Sequence, residues 1–189
     1  MAKSPIKVTR YRSEEKFKLV EKSLASLKGR RLGSGLFATV WACKNNKDRV
    51  IKIGYNDEGY ETWVKAIGLD SNNPHFPKIY SYQKHIINSD NGEYKEMFVV
   101  EMERLKEYNS VGSKTRSKLF RELGCVDYGD ERDLEGGNPY YFRPKTAHGK
   151  KLRRTLSRLW ATDTHEGNVM FRKTGRGAYD VVVTDPLCL

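Results

Sequence analysis

Arg31-Leu32-Gly33-Ser34-Gly35-Leu36-Phe37-Ala38-Thr39-Val40-Trp41 reads as a strand, a glycine turn and a second strand. Two glycines at such a turn let backbone N–H groups approach an anion with no Cβ in the way. A plain hairpin turn would look the same. The turn cluster Asn45-Asn46-Lys47-Asp48 follows, and then the β-rich run Val50-Ile51-Lys52-Ile53. A lysine inside an apolar strand is costly to bury unless an anion meets it. The alternative is a lysine on an edge strand.

Working outward, Ser13-Glu14-Glu15 has the form of a helix start, with a capping hydroxyl and acids in the first turn. Phe17, Val20, Leu24 and Leu27 recur at helical spacing up to Lys28-Gly29. After Lys52, a helical pattern from about Glu58 to Leu69 ends at Asn72-Asn73-Pro74. Ile79 to Ile87 and Tyr94 to Met102 are strand-like, and Asn88 to Gly92 between them predicts a hairpin. In the second half, Ser113 to Leu123 and Lys150 to Trp160 have helical periodicity, and the acidic, Gly-containing stretch Asp127 to Pro139 reads as a loop. Val169-Met170-Phe171, the turn Gly175-Arg176-Gly177 and Tyr179 to Thr184 predict a short hairpin. The expected organisation is α+β: a helical extension over 1–28, a β-rich lobe over 29–103 and an α-rich lobe over 104–189.

Composition narrows the function classes. The chain has 189 residues, 38% of them hydrophobic, enough for a packed core. It has no apolar run long enough to span a membrane. Met1 to Lys7 is basic but no apolar core follows, so no secretory signal is expected. Cys43, Cys125 and Cys188 form no CxxC pair, which points away from zinc and a disulfide framework and towards a reduced cytosol. The net charge of +11 favours anionic partners.

Asp163-Thr164-His165-Glu166-Gly167-Asn168 is the strongest local signal. Asp163 and Asn168 have the spacing of the Asp and Asn of a protein-kinase catalytic loop, a resemblance that implies a base orienting a hydroxyl at Asp163 and an oxygen ligand for magnesium at Asn168. His165 reads as structural. Seventeen residues beyond Asn168, Asp185 ends the apolar run Val181-Val182-Val183-Thr184. A carboxylate there could complete an oxygen ligand set for Mg²⁺ with phosphate and water, although a lone Asp-Pro is ordinarily a turn.

Glycine turn, strand lysine, Asp-x4-Asn and strand-terminal Asp occur in the order found in protein kinases. Gly33-x-Gly35-x-x-Ala38-x-Val40 matches the kinase glycine loop, with Ala38 at the third glycine and Ser34 inside the loop. Lys52 would then hold the α- and β-phosphates of ATP and pair with Glu61, or Glu58, of the next helix. Val99 to Glu103 would be the strand whose backbone, at Glu101 and Glu103, meets adenine. Asp163 to Phe171, Val183-Thr184-Asp185-Pro186 and Arg49 to Lys52 together resemble the early-expressed Ser/Thr protein kinases of lytic podoviruses. The resemblance spans about Leu32 to Pro186. It implies a two-lobed protein-kinase-like fold, ATP and Mg as cofactors, and action in the cytoplasm of an infected bacterium on host proteins of transcription, translation or RNA processing.

The sequence also departs from that pattern. Ala161 stands where a His-Arg-Asp motif begins, and Asp185-Pro186-Leu187 replaces Asp-Phe-Gly. Four residues follow Asp185, so an activation segment and its regulation by phosphorylation are not expected. Two other readings stay open: a small-molecule phosphotransferase with a loop like those of aminoglycoside and choline kinases, and a non-catalytic protein that inhibits host RNA polymerase. Arg143 to Arg158 holds seven cations and no acid, which suits docking of acidic proteins; direct nucleic-acid binding is the lesser expectation. Thr155 and Ser157, beside Arg153-Arg154, are candidate self-phosphorylation sites.

Overall fold

The computed structural model describes residues 6–56, 58–68, 71–88, 94–123, 144–159 and 168–186. The fold is α+β. Its contacts gather into two compact units, described in turn.

The first unit is a six-stranded sheet. Its strands are β1 (Lys7–Tyr11), β2 (Lys28–Ser34), β3 (Ala38–Cys43), β4 (Asn46–Tyr55), β5 (Ile79–Asn88) and β6 (Tyr94–Glu103). The spatial order is β1-β5-β6-β4-β3-β2. All neighbours are antiparallel except β1, which runs parallel to β5. The expected hairpin of Ile79 to Ile87 with Tyr94 to Met102 is therefore present as β5–β6; the turn residues 89–93 lie outside the described residues.

Alternation along β4 assigns its side chains to two faces. Ile51 and Ile53 join Ile87, Met97 and Val99 in a core covered by Phe17 and Leu24 of α1 (Glu14–Leu24). α1 starts where the sequence placed it, with the Ser13 side chain accepting from the Lys16 N–H. Residues 6–28, expected as a helical extension, thus belong to the sheet lobe: α1 is part of its core and β1 its outermost strand. β1 escaped the sequence reading because it is short and lacks apolar alternation, with Val8 44% exposed.

On the opposite face of β4 stand Val50, Lys52 and Gly54, across from Met102, Val100 and Phe98 of β6. The Phe98 ring stacks on Tyr82, with centroids 6.0 Å apart, and lies against Gly54. A Cβ at Gly54 would sit 2.3 Å from Phe98 Cζ and 2.8 Å from the Phe37 carbonyl oxygen.

The second unit holds α2 (Glu58–Ile67) from Gly59 on, the segment 71–77 and the described residues from Leu105. The sequence reading put the boundary after Glu103 and α2 in the β-rich part; the compact units divide after Arg104 and gather α2 with the second. Tyr60, Trp63, Val64 and Ile67 form the buried face of α2, and Trp63 meets Phe76 edge-on at 5.6 Å. The remaining elements are α3 (Ser113–Leu123), α4 (Ala147–Arg158), β7 (Val169–Gly175) and β8 (Ala178–Val183). β7 and β8 pair antiparallel as the sequence predicted, with Phe171, Val181, Val182 and Val183 buried. Phe171 also packs with Tyr108, Phe120 and Tyr179. The expected loop Asp127 to Pro139 lies outside the described residues.

Gly54→Ala is expected to destabilise the protein by about 1–3 kcal/mol, because the added methyl overpacks against a ring and a carbonyl. Chemical denaturation checks this; an unchanged midpoint would remove close packing as the reason for glycine at 54.

Candidate functional site

The sequence-predicted residues fall on both units, and each set is described within its own unit. In the sheet unit, Gly33 and Ser34 close β2 opposite Val40 and Thr39 of β3. The Gly35 N–H donates to the Ala38 carbonyl at 2.8 Å, which tightens the turn. Leu36, at its tip, is 88% exposed. Neither Gly33 nor Gly35 has positive φ. A Cβ on Gly33 would meet nothing within 4 Å, and one on Gly35 only the Ala38 oxygen at 3.9 Å. Nothing in the turn's own conformation or packing therefore calls for glycine here. What the two residues do provide is bare backbone, the feature an anion approaching N–H groups would use.

Lys52 lies on the third strand counted from the glycine strand, opposite Val40 and Val100. It is buried, and its Nζ lies 5.9 Å from the Phe98 ring centroid. It is thus an interior lysine of a central strand, not an edge-strand lysine.

The expected adenine strand is β6, flanked by β4 and β5. Glu101 sits opposite Ile51 and Ser81, and its carboxylate accepts from Arg49 at 2.8 Å. The Glu103 N–H donates to the Lys78 carbonyl at 3.0 Å, and the Glu103 carboxylate accepts from the Lys78 N–H at 2.7 Å. The backbone donor of Glu103 is thus committed to the start of β5. An ion pair that gave no clear sign in the sequence, Lys84–Glu96, lies towards the other end of the same two strands, with Glu96 buried and Lys84 largely covered. Its only trace in the sequence is the placement of both charges inside apolar strands.

In the second unit, Glu61 is half-buried on α2 and paired with Lys65 one turn on, whereas Glu58 is exposed. Asp163, with Thr164 to Gly167, lies outside the described residues. Asn168 and Asp185 are described. Thr184 donates twice to the Asn168 carbonyl, through its N–H at 2.8 Å and its hydroxyl at 3.0 Å. This extends the β7–β8 ladder by one step past Val169 opposite Val183. Two candidate oxygen ligands seventeen residues apart are thereby carried to the same end of one hairpin. Asp185 is half-buried and its Oδ1 is shielded from solvent. One carboxylate and one amide oxygen suit Mg²⁺, which takes few protein ligands and completes its shell with water and phosphate.

The segment 73–76 fastens this hairpin. The Val183 N–H donates to the His75 carbonyl at 3.1 Å, and His75 Nδ1 donates to the Val181 carbonyl at 2.9 Å. Arg172 of β7 donates to the Pro74 and Phe76 carbonyls at 2.6 and 2.9 Å and lies 3.7 Å from Asp180. Asn73 donates to the His148 carbonyl at 3.1 Å. His75 and Arg172 gave no signal in the sequence, since their partners are backbone carbonyls distant along the chain. A small cleft of about 240 Å³, lined by Pro74, His75, Thr146, His148 and Asp180 among others, opens beside them.

One expectation is corrected. Thr155 is buried on the inner face of α4, and its hydroxyl donates to the Lys151 carbonyl at 3.0 Å. The hydroxyl is therefore covered in this fold and not presented for self-phosphorylation. Ser157 is half-buried.

A scan against protein-family models matches none, and a search of curated proteins finds no significant match. Among the described residues no group of three or more His, Cys, Asp or Glu forms a metal cluster, and no helix is long and apolar enough to cross a membrane.

Burial holds the His75 imidazole below its ordinary value of 6.5, and burial does the same to His85. Both stay neutral in the fold while the unfolded chain takes up protons, so the stability they confer is present above about pH 6.5 and is lost as pH falls below it. The thermal midpoint is expected to drop between about pH 7.5 and 5.5, and to drop less in His75→Gln. Equal slopes in the two proteins would show that His75 is not linked to folding.

Proposed function

We propose that the chain is an ATP- and magnesium-dependent protein serine/threonine kinase, of the minimal kind that lytic podoviruses express early, acting on host bacterial proteins in the infected cytoplasm. The observation that carries this reading is the β7–β8 register, which seats Asp185 one residue beyond Thr184, the residue clasping Asn168. The sheet supports the same reading. Kinases place the phosphate lysine on the third strand of the nucleotide lobe and its glutamate on the following helix; counted from the glycine strand, Lys52 is on the third strand and Glu61 on the next helix, an order compatible with those roles.

Bound ATP-magnesium supplies the γ-phosphoryl group and a cation that neutralises charge on the β- and γ-oxygens. Asn168 and Asp185 would hold that cation through their side-chain oxygens. Lys52 would hold the α- and β-phosphates, and Glu61 would orient it. The N–H groups of Gly33 to Gly35 would approach the phosphates. Asp163 would accept the proton of the substrate Ser or Thr hydroxyl as its oxygen bonds to the γ-phosphorus and the bond from that phosphorus to the bridging oxygen of ADP breaks.

The test is incubation with labelled ATP, Mg²⁺ and a bacterial lysate. Label should enter host proteins, and Asp163→Ala, Asn168→Ala and Asp185→Ala should each lower transfer at least roughly a hundredfold with the circular dichroism unchanged. Lys52→Met should weaken ATP use more than folding. Near-normal turnover in Asn168→Ala or Asp185→Ala would overturn the metal assignment, and full activity of Lys52→Met would move the nucleotide elsewhere.

The glycine turn yields a separate expectation. Gly33→Ala and Gly35→Ala should alter stability by less than about 0.5 kcal/mol, since the new methyl meets open space, yet raise KM for ATP. Unchanged KM would leave the turn a simple hairpin.

A further inference from the structure

α4 has two faces of unlike chemistry. Gly149, Leu152, Thr155 and Leu156 are buried. Lys150, Arg154 and Arg158 are exposed at successive i, i+4 positions, with Lys145 and Lys151 exposed beside them. At 1.5 Å rise per residue the three stripe positions are about 6 Å apart along the axis. The stretch from Lys145 to Leu159 contains no acid. Among the described residues none of these five cations is ion-paired.

Folding alone does not favour this arrangement. Like charges at i, i+4 destabilise a helix. Arg158 in the last turn suits the macrodipole, but cations near the first turn oppose it, and that turn carries no acid. The stripe therefore suits a partner outside the chain.

We propose that the exposed face of α4 binds the sugar–phosphate backbone of nucleic acid without reading its bases. A protein partner of useful affinity would need an aromatic or aliphatic anchor to bury at the centre of the contact. The exposed positions of α4 offer Ala147, His148, lysines and arginines, and no large apolar side chain. They also lack the Asn or Gln that reads adenine edges and the Asp or Glu that reads cytosine, and their arginines and lysines serve phosphates as well as guanine edges. A single-sign stripe on a chain of pI about 9.5 matches a regular polyanion. Such binding would bring the protein to nucleic-acid-associated partners. It is independent of phosphoryl transfer, so its failure would leave the kinase reading standing.

The experiment is fluorescence anisotropy with two unrelated DNA oligonucleotides of about 20 nucleotides at about 50 and 200 mM salt, where counterion release sets the slope. The intact protein should bind both sequences alike and lose affinity steeply with salt. The triple variant Lys150→Gln, Arg154→Gln, Arg158→Gln should reduce the magnitude of the log–log salt slope by about 2–3. The charge-keeping triple Lys150→Arg, Arg154→Lys, Arg158→Lys should bind as the intact protein does. So should Lys16→Gln, Lys22→Gln, Lys47→Gln, which removes three exposed cations elsewhere. An unchanged slope in the first triple would overturn the proposal. Equal loss in the charge-keeping triple would assign the effect to the fold and overturn it too. Displacement of the DNA by polyglutamate at lower charge concentration than by competing DNA would replace nucleic acid with an acidic protein.

Discussion

The two-residue period of β4 is the constraint on which both the core and the candidate site depend. Ile51 and Ile53 must face α1, so Val50, Lys52 and Gly54 must face the other way. A slip of one residue would drive the Lys52 ammonium into the cluster of Phe17, Leu24, Met97 and Val99 and carry two isoleucines to the face that holds Val50, Lys52 and Gly54. Burial of apolar surface on one face thus positions a charge on the other. Gly54 sharpens the constraint, since the Phe98 ring lies where any side chain would begin.

A comparable economy operates at the β7–β8 hairpin. The buried valines of β8 hold the strand in place, and the Thr184 hydroxyl and N–H together grip one carbonyl at its end. Asp185 comes next along the chain. Its position is therefore set by strand packing and by the two hydrogen bonds that tie β8 to His75, one accepted by the His75 carbonyl and one donated by its ring. A carboxylate supported in this way is stiff because the strand beneath it is stiff.

Local features were legible in the sequence to the degree that they are local. The β5–β6 and β7–β8 hairpins showed themselves through apolar runs flanking turn residues, and α3 through its periodicity. α4 begins three residues before the predicted Lys150, because Thr146 caps it by accepting from the Gly149 N–H at 3.0 Å; a threonine ahead of a helical run was a readable sign. Thr155 was also readable as inward-facing, three residues from Leu152 and next to Leu156. β1 was not, since an edge strand with few buried side chains has no pattern to show. Nor was the fastening of the hairpin by residues 73–76, which rests on main-chain carbonyls that every residue possesses. The order of the candidate site residues was visible as spacing, whereas the open space around Gly33 and Gly35 and the burial of Lys52 needed coordinates.

The position of β1 also bears on colloidal behaviour. A sheet's outermost strands display unpaired backbone groups that can recruit another chain. Here those strands are β1, with Lys7 and Arg10, and β2, with Lys28, Arg30 and Arg31. β2 also breaks register twice along its length, which disrupts a flat template. Two copies approaching edge to edge would bring lysines and arginines together, on the β2 side along an irregular strand. The sheet is guarded against self-association at both margins, and the excess positive charge helps keep the protein dispersed.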